Sequence, residues 1–202
     1  AMLSAKLERD VMYTEAALTD EMGISRTPVR EALIHLASRG LITYFPRKGF
    51  KIKLLTEKDV RNLFELRLSL ELTVIRHITP ALTKKALADI ERVRARYEKI
   101  VQNADPVESI HANMAFHGCL AGLTGNDYLI NALDEIGDLI SLASARSLEV
   151  DSRTVEALAE HDRIVGELTG KSLSGALREM KAHICTTEKR VLARIRNSQA
   201  RR

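Results

Sequence analysis

The sequence predicts a mostly α-helical protein, in which an N-terminal winged helix-turn-helix is followed by an all-helical antiparallel bundle. Two short helical segments and two alternating strands fill residues 1–53, which is the order of a winged helix. Residues 54–202 show apolar residues at helical spacing only, interrupted by short polar turns. Aromatic residues make up 4% of the 202 residues and tryptophan is absent, so we expect an aliphatic core.

The helix-turn-helix is predicted from one stretch, in which helices over 14–22 and 26–38 flank a turn at Gly23. Glycine can adopt the left-handed conformation that ends a helix. Ser25 is a favourable N-cap for the second helix, and Pro28 lies in its first turn, where a missing N–H costs nothing. The predicted buried stripe of this helix consists of Val29, Ala32, Leu33 and Leu36.

The exposed start of the second helix carries residue types that read DNA. Its first turns are the part of a recognition helix that meets base edges in the major groove. Strands over 41–45 and 49–53 form a hairpin with a basic tip, which is expected near phosphates or the minor groove. The tip would add affinity without choosing the sequence. The predicted DNA-binding residues are Ser25, Arg26, Thr27, Arg30, Arg47, Lys48 and Gly49.

The second domain is predicted to contain six helices joined by short turns, which favours an antiparallel bundle. The predicted helices span 56–78, 83–103, 106–123, 127–147, 152–169 and 172–197. The net charge of +4 is unevenly distributed, because residues 1–53 carry +3, residues 188–202 carry +5 and the middle carries about −4. The arginines of the tail could form a DNA-facing patch or a solvated helix end. They are Arg194, Arg196, Arg201 and Arg202.

The chain contains no apolar run of about 20 residues and no signal peptide, so we expect no membrane contact. Cys119 and Cys185 are the two cysteines, and they give no disulfide framework. These features are typical of a cytoplasmic protein.

Three histidines on separate predicted helices are candidates for a metal site, namely His117, His161 and His183. Asn113 lies four residues before His117, so the two share one helix face. A single histidine on a helix is more often a core or surface residue than a ligand. Helical bundles do, however, build metal sites from facing side chains on different helices.

Two groups of motifs resemble known families. The sequence motifs S-R-T-P-V-R-E-A-L and R-G-L-I, within residues 25–42, resemble those of the GntR family of bacterial transcription regulators. The FCD ligand-binding domain of its FadR-type branch is similar in three motifs, F-H-x-x-L-A-x-x-x-G-N, E-H-x-x-I and A-x-x-x-M-x-x-H-I, and in the pair Arg67 and Glu71. Compared with that family, only about a dozen residues precede Thr14, so the first helix is predicted to be shortened or missing.

The resemblance implies a homodimeric repressor on a palindromic double-stranded operator, controlled by a small carboxylate effector. It also implies a divalent metal, with zinc favoured over nickel or another first-row ion. Carried over, the ligands are Asn113, His117, His161 and His183, although many relatives have Asp where this chain has Asn113. Arg67 and Arg146 are candidate partners of the effector anion, and each could instead pair with a neighbouring carboxylate.

Two other functions are consistent with a three-histidine site. The metal itself could be the signal, which would make the protein a metal-sensing regulator. A metal-dependent hydrolase or lyase would use a metal-bound water, but the sequence has no H-E-x-x-H pairing and such an enzyme would have no use for a winged helix. We therefore expect a regulator and not an enzyme.

Overall fold

The computed structural model describes residues 11–102, 106–144 and 153–200. Its contacts divide the chain into two compact units, which separate between Thr56 and Glu57. The sequence-based prediction places this boundary after residue 53. The predicted shortening of the first helix concerns residues before 11 and lies outside the described residues.

The first unit has the element order predicted for a winged helix-turn-helix. Its elements are α1 (Glu15–Met22), α2 (Arg26–Ser38), β1 (Ile42–Phe45) and β2 (Gly49–Ile52). The strands form an antiparallel hairpin whose register runs from the Ile42–Ile52 pair to the Phe45–Gly49 pair.

The turn between α1 and α2 follows the predicted chemistry only in part. The hydroxyl of Thr14 caps α1 by accepting a hydrogen bond from the Ala17 N–H at 3.1 Å. Gly23 ends α1 with a φ of 65°, and its N–H bonds to the Thr19 carbonyl. Ser25 does precede α2, but its side chain makes no capping hydrogen bond. The helix start is therefore set by the glycine turn rather than by a serine cap.

The buried face of α2 is narrower than predicted. Val29 and Leu33 are buried and Leu36 is half-buried, which is the spacing of one helical stripe. The prediction that Ala32 is buried is wrong, because it is exposed. Position 32 lies about 100° around the helix from Leu33, at the edge of the stripe.

The wing is completed by a third piece of extended chain at Tyr13. Tyr13 and Phe50 exchange backbone hydrogen bonds of 3.0 and 2.8 Å, and their rings stack with centroids 5.7 Å apart. Gly49 has a φ of 124°, and a Cβ added there would lie 1.9 Å from the Tyr13 carbonyl oxygen. Glycine is therefore required at position 49 both by the backbone angle and by the close approach.

Gly49→Ala is expected to destabilise the winged helix by about 2 kcal/mol or more, because it combines a forbidden φ with a backbone clash. Amide hydrogen exchange in β1 and β2 measures this loss directly. Gly23→Ala is the matched control, since Gly23 also has a positive φ but has open space around it. Exchange rates that rise equally in both variants would contradict the clash at Gly49.

The second unit is a bundle of α-helices, as the sequence predicts. Within the described residues its elements are α3 (Glu57–Ile78), a 3₁₀ turn (Thr79–Ala81), α4 (Lys84–Gln102), α5 (Pro106–Gly122), α6 (Asp127–Ser144), α7 (Arg153–Thr169) and α8 (Leu173–Ala200). No helix in these ranges is long and apolar enough to cross a membrane.

The bundle is organised around α3, which packs against α8, α6 and α5, while α4 packs against α5 and α7. Its core consists mainly of aliphatic side chains with a few aromatic rings. Leu120, Met180, Phe64 and Phe116 are among the core residues, and each is at most 1% exposed. Aromatic and imidazole rings from α5, α7 and α8 meet next to Phe116, and they include the three predicted histidine ligands.

Candidate metal centre and DNA-binding surface

The bundle brings together the three histidines that the sequence singles out. His117 on α5, His161 on α7 and His183 on α8 are all buried, with at most 6% exposure. One ring nitrogen from each lies within 4.8 Å of the other two. The Nε2 atoms of His117 and His183 are 3.2 Å apart. Two nitrogens bound tetrahedrally to one zinc ion would be separated by about 3.4 Å.

Unsatisfied nitrogens show that the cluster fits a metal ion. Both ring nitrogens of His161 are buried and have no hydrogen-bond partner within the described structure. The ring stacks on Phe116 at a centroid distance of 4.0 Å, so it is held in place by packing. A buried polar atom without a partner costs free energy, about 1–3 kcal/mol. A metal ion bound by the three imidazoles would remove part of this cost.

The surroundings keep the imidazoles in the neutral form, which is the form that binds metal. Burial lowers the pKa of His117 and His161 well below the usual value. Burial also lowers the pKa of His183, although a hydrogen bond from this ring to Glu160 opposes the effect. All three side chains are thus poised as ligands rather than as cations.

Two carboxylates flank the cluster, and the sequence-based prediction did not place either of them beside the histidines. Glu160 Oε2 lies 2.7 Å from Nδ1 of His183. Glu71 Oε1 lies 2.8 Å from Nδ1 of His117, but out of line for a hydrogen bond, so this nitrogen still lacks a partner. The contact of His183 with Glu160 is the stronger of the two, because only this contact has both the short distance and the alignment of a hydrogen bond.

A cavity of about 260 Å³ opens beside His117, between α3, α5 and α6. Asn113 is half-buried and lines this cavity one helical turn from His117, so the predicted fourth ligand faces the space next to the cluster. Apolar side chains such as Met114 and Ile130 share the walls with polar ones such as Asn131. Such a lining suits a ligand with a polar end and a small apolar body.

Arg67 also lines the cavity and is buried, at 6% exposure. Its Nε lies 3.4 Å from Oε1 of Glu71, so it makes the ion pair that the sequence left as an alternative. Burial raises the pKa of Glu71 and lowers that of Arg67. Oε2 of Glu71 has no hydrogen-bond partner in the described part of the chain. Arg146, the other predicted effector residue, lies outside the described residues.

The cysteines do not join the histidine cluster among the residues that the structure describes. Cys119 and Cys185 are free and half-buried. Each lies two positions after a histidine ligand candidate, which turns its side chain about 200° around the helix.

In the first unit, the basic residues of α2 and the hairpin tip share one concave surface. This concavity has a volume of about 330 Å³ and is lined by Thr14, Glu15, Ala16, Arg26, Arg30, Tyr44, Arg47, Lys48 and Gly49. Ser25, Thr27 and the four lining cations are exposed, whereas Gly49 is buried. Four cations against one carboxylate make a surface that attracts a phosphate backbone.

Tyr44 and Glu15 are members of this surface that the sequence-based prediction missed. The Tyr44 hydroxyl donates a short hydrogen bond to Oε1 of Glu15. This bond raises the pKa of Tyr44, while the nearby Arg30 opposes the shift. The two residues lie 29 positions apart, on α1 and β1, so no local sequence pattern signals their contact.

The arginines near the C-terminus belong to the bundle where the structure describes them. Arg194 donates to the carbonyl of Ser144 at 3.1 Å, and Arg196 donates to both carboxylate oxygens of Glu57 at 2.8 and 3.1 Å. Arg201 and Arg202 lie outside the described residues. Arg194 and Arg196 are therefore engaged in contacts within the helical unit.

A winged helix with a basic concavity, joined to a helical bundle with a cavity of mixed apolar and polar lining, is typical of a DNA-binding transcriptional regulator. Residues 5–52 match the gntR family of bacterial regulatory proteins, and residues 62–186 match the FCD domain. The chain therefore belongs to the GntR family, with the FadR-type architecture that carries an FCD domain.

Individual relatives agree with this assignment. YdhC, an HTH-type transcriptional regulator of Bacillus subtilis, is 32% identical over 170 residues, covering 84% of this chain and 76% of that protein. A gluconate operon transcriptional repressor of Bacillus licheniformis is 25% identical over 167 residues, covering 81% and 66%. The solved structure of E. coli McbR/YncC has the same fold, with a TM-score of 0.82 at 16% identity over 94% of this chain and 91% of that one.

Proposed function

We propose that this protein is a metabolite-responsive repressor, which binds a palindromic operator as a homodimer and changes its affinity when a small carboxylate binds the helical domain. One winged helix reads one half-site, so two copies are needed for a palindrome. Because its target is the bacterial operator, the site of action is the cytoplasm. The similarity to a gluconate operon repressor supports repression as the mode of control.

The observation that carries the proposal is the group of three buried imidazoles beside a cavity lined by both apolar and polar side chains. His117 belongs to both features, because it contributes to the cluster and lines the cavity. A metal held by His117, His161 and His183, with Asn113 as fourth ligand, would face this space. Zinc is the ion that imidazole ligands in this number favour, and nickel or another first-row ion is the alternative.

A divalent ion held by these four side chains would take a carboxylate by expanding its coordination beyond four. The chain itself supplies Arg67, whose guanidinium lines the cavity and has donors beyond the one directed at Glu71. A cavity of about 260 Å³ lies at the small end of the range for ligand pockets, so the effector is a small metabolite.

The DNA contacts follow from the exposed cations of the first unit. Arg26 and Arg30 lie at the start of α2, where a recognition helix meets base edges. Arg47 and Lys48 lie on the hairpin tip, where they contribute phosphate contacts. We therefore assign sequence readout to the helix and sequence-independent affinity to the wing.

The proposal is tested by measuring operator binding with zinc alone and then with zinc plus organic acids selected by a thermal-shift screen. We expect zinc alone to leave the affinity nearly unchanged and one acid to change it at least several-fold. An effector acts on DNA binding only through its differential affinity for two states of the protein. If zinc alone produces the full change, the protein is a metal-sensing regulator instead.

Asn113→Asp is expected to strengthen zinc binding by an amount on the order of tenfold, since a charged carboxylate replaces a neutral amide in the ligand set. Competition with a coloured zinc chelator measures the change. Asn131→Asp adds the same charge to another wall position of the cavity and is the matched control. An equal gain in zinc affinity in both variants would show that the new charge at position 113 acts through the electrostatic potential of the cavity and not as a metal ligand.

A further inference from the structure

A continuous set of polar contacts leads from His183 to the surface of the bundle. Nδ1 of His183 lies 2.7 Å from Oε2 of Glu160, and Arg190 Nη2 donates to Oε1 of Glu160 at 2.8 Å. The same Nη2 atom donates to Glu156 at 2.9 Å, and Arg190 Nη1 lies 3.4 Å from Oε2 of Glu160. Both oxygens of the Glu160 carboxylate are therefore held.

The contacts form a clamp between α7 and α8. Glu156 and Glu160 lie four residues apart on α7, and His183 and Arg190 lie seven apart on α8, so each pair shares one helix face. Glu160 is 7% exposed and the Arg190 side chain is 18% exposed, so water competes little for their bonds. The carboxylate cannot rotate away from His183 without breaking its bonds to Arg190.

A neutral imidazole carries one N–H, and a carboxylate acceptor at Nδ1 selects the tautomer with the proton on that nitrogen. The guanidinium of Arg190 lies against both oxygens of Glu160, at 2.8 and 3.4 Å, and holds the carboxylate as the acceptor of the His183 Nδ1–H. Nε2 of His183 is then left with its lone pair, directed at the cluster and 3.2 Å from Nε2 of His117.

We propose that Glu160, clamped by Arg190, positions His183 as the Nδ1–H tautomer and makes it the preorganised member of the three-histidine cluster. This inference rests on the proposed metal site. Nδ1 of His117 has a carboxylate nearby but no aligned hydrogen bond, and its Nε2 contacts only Nε2 of His183 among the described residues. His161 has no polar partner at either nitrogen within the same residues. The three candidate ligands are thus unequal before any metal arrives, and His183 is the one whose lone pair is fixed.

The test combines a tautomer measurement with a metal affinity. Nitrogen-15 NMR of the metal-free protein reports which nitrogen of His183 is protonated, and competition with a coloured chelator gives the zinc dissociation constant. The variants are Glu160→Leu, Glu160→Gln and Arg190→Met. The control is Arg163→Met, because Arg163 pairs with Glu179 at 3.2 Å and also joins α7 to α8 without contacting the cluster.

We expect the Nδ1–H form in the wild type and its loss in Glu160→Leu, together with a roughly 10- to 100-fold weaker zinc affinity. Glu160→Gln keeps one acceptor oxygen, for which His183 and Arg190 then compete, so it restores the Nδ1–H form only in part. Arg190→Met weakens zinc less than Glu160→Leu, and Arg163→Met changes neither readout. The inference is overturned if metal-free His183 carries its proton on Nε2, or if Glu160→Leu leaves the tautomer as it was. Wild-type protein that binds no zinc refutes the proposed metal site, and the tautomer then decides this inference alone.

Discussion

Zinc added to the metal-free protein is expected to raise the midpoint of thermal unfolding of the helical domain by roughly 5–10 °C. The ion binds the folded cluster and not the unfolded chain, and free zinc at 100 times its dissociation constant contributes about 2.7 kcal/mol. For a unit of this size each kcal/mol shifts the midpoint by about 2–4 °C. Differential scanning calorimetry with and without zinc measures the shift.

The variant His161→Leu separates a ligand from a packing residue. Leucine removes two buried nitrogens that have no partner, so the metal-free domain should keep its stability to within about 1 kcal/mol or gain some. The stabilisation by zinc should disappear. His111→Ala removes an exposed histidine from α5 and is the control that should respond to zinc like the wild type. A His161→Leu protein that still gains 5–10 °C would show that the ion binds elsewhere.

Arg30→Ala is expected to cost roughly 1–3 kcal/mol at one base pair of each half-site, a factor of about 5 to 150 in affinity. The loss should vanish for operators already mutated at that base pair, because the arginine then has no base edge to bind. Fluorescence anisotropy with a set of operator variants measures this pattern.

Lys48→Ala should instead weaken binding to all operator variants alike. It should also reduce the slope of log affinity against log salt concentration by about 1, because one phosphate contact is lost. Lys53→Ala is the matched control, because it removes an exposed cation of the same unit that does not line the concavity. If Arg30→Ala and Lys48→Ala behave interchangeably across the operator set, the division between reading helix and wing is wrong.

The order and type of the described elements could be predicted from the sequence, because helical spacing and glycine turns are local signals. Gly23 ends α1 and the hairpin lies between Ile42 and Ile52, as their residue patterns indicate. Finer features depend on packing. Ser25 has the right side chain for a cap but makes no capping bond, and Ala32 is exposed although it lies next to a buried position.

In the candidate metal site, too, local features could be predicted from the sequence, whereas features that depend on packing could not. The i, i+4 spacing of Asn113 and His117 predicts a shared face, and the structure shows both lining one cavity. The convergence of His117, His161 and His183 depends on three helices meeting, which only the resemblance to a known domain could suggest. The pairing of Glu160 with His183 crosses between two helices, so helical periodicity on either one gives no sign of it.

The central claim, that three histidines of the bundle hold a metal ion beside the effector cavity, is tested most directly by a crystal structure of zinc-supplemented protein with data at the zinc absorption edge. We predict one anomalous peak within about 2.0–2.2 Å of a ring nitrogen of His117, His161 and His183 and of the Asn113 side-chain oxygen. An anomalous peak next to other residues would contradict the claim. So would the absence of any peak with the four side chains pointing away from one another.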